Sequence, residues 1–131
     1  MRKVTATIGK DKYITNINSL SGHSVIADEP EEQGGMNKGP APGEYLATAL
    51  GACTCITMRM YADRKEWDVT AITVTVTYER DRETRTSSFL KEIKIEGNLD
   101  KEQTKRILQI GDRCPIHFTL SNPITIESKL V

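Results

Sequence analysis

The sequence has no surplus of either charge: 18 basic side chains stand against 18 acidic ones, for a formal net charge of zero. A nucleic-acid binder ordinarily shows a basic surplus or a basic stripe. Here bases alternate with acids, as in Arg80-Asp81-Arg82-Glu83, which reads as a solvated loop, so no nucleic-acid partner is expected. Long apolar runs are missing as well. The longest uncharged run of apolar and small residues, Tyr45 to Met58, is too short to span a bilayer, and no membrane partner is expected. The N-terminus, Met1-Arg2-Lys3-Val4-Thr5, lacks the apolar segment of a signal peptide, which predicts a cytoplasmic protein. Cysteine is scarce. Three residues, an odd count without an export signal, argue against a secreted disulfide framework. Cys53-Thr54-Cys55 is C-x-C rather than C-x-x-C, and the two histidines, His23 and His117, complete no zinc pattern. Neither a metal nor a bound cofactor is expected.

What is present suits one globular domain over residues 1–131. The chain is 37% hydrophobic and 27% charged, ordinary for a domain of this size, which can bury a core without staples. Lys3–Ile8 and Tyr13–Ile17 read as short strands around a Gly9–Lys12 turn, with Ser24–Ala27 as a third. The Gly- and Pro-rich stretch from Asp28 to Pro42 excludes regular structure, and a loop of that length is often functional. A helix is predicted from about Pro42 to Lys65. Pro42 suits its first turn, and Leu46, Leu50, Cys53, Ile56 or Thr57, and Met60 recur at helical spacing. The opposite side, Thr48, Gly51, Ala52 and Cys55, is also uncharged, which predicts burial on every side. Ile72–Tyr78 alternates strictly and Phe89–Leu99 more loosely, joined by a charged loop from Glu79 to Ser88. A second helix should start at Asp100, whose offset to Gln103 is that of a capping box, and end at Gly111. A helical turn follows Cys114-Pro115, and Ile124–Leu130 alternates like a closing strand. This order predicts an α+β fold with a mostly antiparallel sheet. The charge-free helix carries more apolar surface than one small sheet covers, which predicts a homodimer.

A cysteine inside a buried helix, as Cys53, ordinarily acts as a small hydrophobe. Cys55, two residues on, points to nearly the opposite side and reads as packing. Cys114 says more. Cys-Pro at the start of a helical turn puts the thiol at the N-cap and the proline at the first helical position, where free N–H groups and the helix dipole favour a thiolate.

Taken together, Gly39-Pro40-Ala41-Pro42-Gly43-Glu44-Tyr45-Leu46 leading into Ala49-Leu50-Gly51-Ala52-Cys53-Thr54, with Cys114-Pro115-Ile116-His117 about sixty residues later, resembles the OsmC/Ohr family. Asp28-Glu29-Pro30, Gly34-Gly35, Met60–Lys65 and the closing strand are similar to an uncharacterised bacterial branch of it. The resemblance implies an OsmC-like fold: an intertwined homodimer with a central buried Cys-bearing helix and two sites at the subunit interface. It implies a thiol-dependent reduction of organic or lipid hydroperoxides. Cys53 would attack the peroxide oxygen, Cys114 would resolve the sulfenic acid into a disulfide, and an external dithiol would reset the pair. The family's peroxidases carry Glu directly after the proline that opens the Cys helix. This chain has Gly43 there and Glu44 one place later, so Glu44 is the candidate supporting residue. The family's activating N-terminal Arg has candidates only by type, in Arg2, Lys10 and Lys12. Both departures predict a slower peroxidase.

Two other readings remain open. One is a binding module for a small hydrophobic ligand, in which the cysteines sense oxidation or do nothing; the departure at Gly43 favours it. The other is a Cys-nucleophile hydrolase with His23 or His117 as base.

Overall fold

The computed structural model describes every residue, Met1–Val131. The elements follow the order β1 (Val4–Ile8), β2 (Thr15–Ser19), β3 (Ser24–Ala27), α1 (Pro42–Arg64), β4 (Val69–Asp81), β5 (Thr86–Gly97), α2 (Lys101–Gly111) and α3 (Pro115–Ser121), with one 3-10 turn at Glu31–Gln33. Both sheets are antiparallel: a meander in the order β1-β2-β3 and the two-stranded ribbon β4-β5. The expected α+β class with antiparallel pairing is therefore observed. The residues form two compact units, Met1–Leu46 and Ala47–Val131, and α1 runs through the boundary.

The first unit is organised by one carboxylate. Asp28 is buried, and its Oδ1 accepts the backbone N–H groups of Tyr13 at 2.9 Å and Glu29 at 2.8 Å. Its Oδ2 accepts those of Met36 at 3.3 Å and Lys38 at 3.0 Å. Four donors on one carboxylate hold the charged form. The bond from Lys38 leads, opposed by desolvation and reinforced by the other three, and the carboxyl sits below its ordinary range. The long loop thus wraps around an internal anion. A Cβ at Gly35 would lie 2.0 Å from the Glu29 carbonyl oxygen, so only glycine lets the loop close this tightly. Tyr13 spends its N–H on Asp28, and β2 accordingly begins at Thr15, two residues later than the apolar pattern suggests.

The second unit holds the core. Met58, Tyr61 and Ala62 of α1 pack with Val69, Ile107 and Ile110, and Ile72, Val74, Ile93 and Ile95 close over them from the ribbon. In the β4–β5 register Ile72 faces Ile95, Val74 faces Ile93, Val76 faces Lys91 and Tyr78 faces Phe89. The inward row of β5 is therefore Phe89, Lys91, Ile93, Ile95. The strands run further than the alternation indicates, and the charged loop expected over Glu79–Ser88 shrinks to a turn at residues 82–85. Asp81 causes this by accepting the N–H groups of Glu83 at 2.8 Å and Thr84 at 3.1 Å. The Tyr78 and Phe89 rings, stacked 4.8 Å apart, hold the ladder below it. α2 opens with the predicted capping box: Asp100 accepts from Gln103 N at 2.8 Å, and the Gln103 side chain accepts from Asp100 N at 3.0 Å.

Two expectations are overturned. α1 is not covered on all sides within this chain. Its buried face is Leu50, Gly51, Thr54, Met58, Tyr61 and Ala62, whereas Leu46, Ile56 and Met60, expected as core, are exposed. One two-stranded ribbon and one short helix cover a single face of a 23-residue helix. The closing strand Ile124–Leu130 is also not formed, and Ile124, Ile126, Leu130 and Val131 are exposed. Alternation shows only that a segment suits an edge, and no strand of this chain pairs with it. No helix is long and apolar enough to cross a membrane.

Candidate functional site

Cys114 sits where the sequence puts it. Its backbone is extended, at φ −67 and ψ 142, it is the N-cap of α3, and Pro115 opens the helix. Its Sγ accepts the N–H of His117 at 3.2 Å, as a capping side chain does. The thiol is wholly buried. What buries it is α1: Thr54 Oγ1 lies 3.6 Å from Sγ. The Thr54 hydroxyl donates to the carbonyl of Leu50 at 2.8 Å, which leaves its oxygen to accept the thiol proton. The resting sulfur is therefore held from two sides.

Two glycines permit this contact. A Cβ at Gly51 would come within 3.2 Å of Val76 Cγ2, and one at Gly111 within 3.0 Å of Met58 Sδ and 3.4 Å of Thr54 Cγ2. α1 thus lies close on β4 and on the end of α2, and the α2–α3 turn reaches Thr54. Cys53 is the neighbouring residue, half-buried and one helical step of about 100° away from the Thr54 direction. All three cysteines are free thiols. Cys55 packs toward β4, with Sγ 3.8 Å from the carbonyl oxygen of Ile72, which agrees with a packing role.

Glu44 has a local partner. Its Oε2 accepts the N–H of Ala41 at 2.7 Å, the reach-back of a capping box, which also places a negative charge at the helix N-terminus. Nine residues separate it from Cys53, so it lies about half a turn around the helix and roughly 14 Å along it. His23 is exposed on the β2–β3 turn of the first unit. His117 meets Cys114 through its backbone N–H, and its ring Nδ1 instead faces Lys91 Nζ at 3.2 Å.

Lys91 is the residue that the sequence reading passed over. Its side chain is 9% exposed. Nζ reaches the Gly111 carbonyl at 3.3 Å, Asp112 Oδ1 at 3.0 Å and His117 Nδ1 at 3.2 Å. The signal was present: Lys91 keeps strand parity with Phe89, Ile93 and Ile95 and so belongs to the inward row. A cavity of about 220 Å³ opens beside it, lined by Leu50, Phe89, His117 and Leu120 among others. No group of three or more His, Cys, Asp or Glu is placed to hold a metal ion.

A Cys-Pro thiol docked at Thr54 on a helix that also carries Cys53, with antiparallel sheets, defines a class that comparison with known proteins makes specific. The family model for OsmC-like protein matches residues 35–129, and the chain belongs to that family. The fold agrees with solved structures. A protein from Psychrobacter arcticus, described as an osmotic stress induced and detoxification response protein, superposes with a TM-score of 0.79 at 25% identity, covering 91% of this chain and 88% of that one. The OsmC-like protein of Mycoplasma pneumoniae gives 0.79 at 22% identity, covering 92% and 87%. OhrB of Bacillus subtilis, an organic hydroperoxide resistance protein, gives 0.62 at 19% identity, covering 91% and 89%. No curated protein matches the sequence significantly.

Proposed function

We propose that this protein is a thiol peroxidase that reduces organic hydroperoxides with Cys53 and Cys114, in a homodimer. The observation that carries the reading is the seat of Cys114: a wholly buried thiol docked on α1 at Thr54, the residue next to Cys53. In the first step the Cys53 thiolate attacks the terminal peroxide oxygen. The O–O bond breaks, the alkoxide leaves and takes up a proton as alcohol, and Cys53 becomes a sulfenic acid. In the second step Cys114 sulfur bonds to Cys53 sulfur and the S–O bond breaks. The hydroxyl leaves as water with the Cys114 proton. An external dithiol supplies the two electrons and two protons that restore both thiols.

The exposed side of α1 beside Cys53 carries Ile56 and Met60, a surface that suits an alkyl group. Burial contributes about 25 cal/mol per Å² of apolar surface removed from water, and hydrogen peroxide gains none of it. That same uncovered face and the exposed apolar residues of the unpaired C-terminal segment support the homodimer. Glu44 favours the second reading, a binding module for a small hydrophobic ligand. Its carboxylate caps α1 about half a turn away from Cys53, so the thiol lacks that acid as a neighbour and reacts slowly.

The test is dithiol-dependent peroxide consumption at steady state. An organic hydroperoxide should be consumed faster than hydrogen peroxide. Cys53→Ser should abolish turnover, Cys114→Ser should stop it after one event with a trappable sulfenic acid, and Cys55→Ser should change little. Equal consumption by Cys53→Ser and the parent protein rejects the enzyme in favour of the binding module.

A further inference from the structure

Cys114 rests on the residue next to Cys53. Its sulfur accepts the His117 N–H and lies against Thr54 Oγ1, one helical step from Cys53, so the α2–α3 turn fixes where the resolving thiol sits. One side chain grips that turn from both ends. The three donors of an ammonium match the three acceptors around Lys91 Nζ: the Gly111 carbonyl at the end of α2, the Asp112 carboxylate just after it, and the His117 ring in α3. Cys114 lies between these contacts in the chain. A lysine near a helix C-terminus can serve stability alone. That role does not call for an ammonium here. An apolar side chain would fill an inward row of Phe89, Ile93 and Ile95 without taking a charge out of water. An ammonium in this row costs desolvation, and what it adds is a fixed geometry for the turn.

We propose that Lys91 is a positioning residue for the resolving thiol: through Gly111, Asp112 and His117 it latches the turn that keeps Cys114 buried on Thr54 and beside Cys53. The proposal rests on the reading of Cys114 as the resolving thiol. When Cys53 carries S–OH, the latched thiol is delivered over one helical step; the S–S bond forms, the S–O bond breaks and water leaves.

The experiment compares Lys91→Met and Lys91→Arg with the parent, all carrying Cys55→Ser. The first readout needs no peroxide: the rate at which a small neutral thiol reagent modifies Cys114 in the reduced protein. Loss of a charged hydrogen-bond hub should accelerate it about tenfold in Lys91→Met, with Cys53 reacting at the parent rate. Lys91→Arg, which keeps charge and donors, should restore slow modification. The second readout is a single turnover with one equivalent of an organic hydroperoxide. Sulfenic acid should form on Cys53 at the parent rate, and disulfide closure should slow by about tenfold. Asp112→Asn, on a largely exposed side chain, keeps the test open if Lys91→Met does not fold, and should speed Cys114 modification about threefold. Parent-like modification of Cys114 in a folded Lys91→Met, or in Asp112→Asn where that variant stands in, overturns the latch. If Cys114 is released but no hydroperoxide oxidises the parent protein, the latch stands and the peroxidase reading falls.

Discussion

At the residue scale, two buried polar groups decide local structure. Asp28 carries the first unit. Its carboxyl is held below its ordinary value of 3.8, first by the Lys38 N–H and then, against desolvation, by Glu29, Tyr13 and Met36. A depressed carboxyl contributes stability that is complete above the unfolded value and is lost as pH falls through the folded one. Amides of Tyr13, Glu29, Met36 and Lys38 should therefore lose hydrogen-exchange protection in acid, below about pH 4. Asp28→Asn should remove that pH dependence and speed their exchange by about tenfold at neutral pH, because the amide NH₂ faces two donors. Unchanged protection in the variant contradicts the account. Much at this scale was legible in the sequence. The Asp100–Gln103 capping box and the Cys114-Pro115 N-cap are local patterns, complete within four residues. Asp28 was not legible, because its donors come from positions up to fifteen residues away. Lys91 was legible only in part: its parity with Phe89, Ile93 and Ile95 marks the inward row, whereas the partners that Nζ meets there, from Gly111 to His117, lie 20 to 26 residues on.

At the element scale, α1 shows what periodicity can and cannot assign. Its bounds, Pro42–Arg64, follow from the proline that opens it and the polar tail that ends it. Its buried face does not follow, since both faces are apolar or small and no hydrophobic stripe distinguishes them. Contact through Gly51 and Thr54 settles the matter, because the ribbon approaches where side chains are small. Gly51 tests this. Alanine there brings better helix propensity, worth about 1 kcal/mol, against a 3.2 Å approach to Val76. Those opposing terms should leave stability nearly unchanged. Gly51→Leu has no such compensation and should lower unfolding stability by about 1–3 kcal/mol in denaturant titration. A Gly51→Leu protein as stable as its parent would mean that α1 does not lie on β4 at this point. The C-terminal segment is the converse case. Its alternation was legible and its partner was not, since the strand pattern names no neighbour.

At the scale of the whole molecule, family membership is shown over residues 35–129, and the antiparallel α+β architecture expected from element order is present. The fold was legible because strands, helix and Cys-Pro turn keep their order along the chain; the assembly was not, because apolar surface says that something covers it and not what. The exposed Leu46, Ile56 and Met60 on α1 and the unpaired Ile124, Ile126 and Leu130 predict a two-fold dimer at micromolar concentration by sedimentation. Met60→Glu tests the face. On a solvated helix it should change stability by less than about 0.5 kcal/mol, and on a subunit interface it should weaken association at least about tenfold. A parent protein that sediments as a monomer removes the homodimer from the proposal. The central claim is that Cys53 and Cys114 form one redox pair, and thiol counting tests it most directly. Fully reduced protein, given one equivalent of an organic hydroperoxide per chain, should lose two of its three thiols, and peptide mapping should show Cys53 joined to Cys114 with Cys55 still free. Retention of all three thiols, or equal thiol loss in Cys53→Ser, would contradict it.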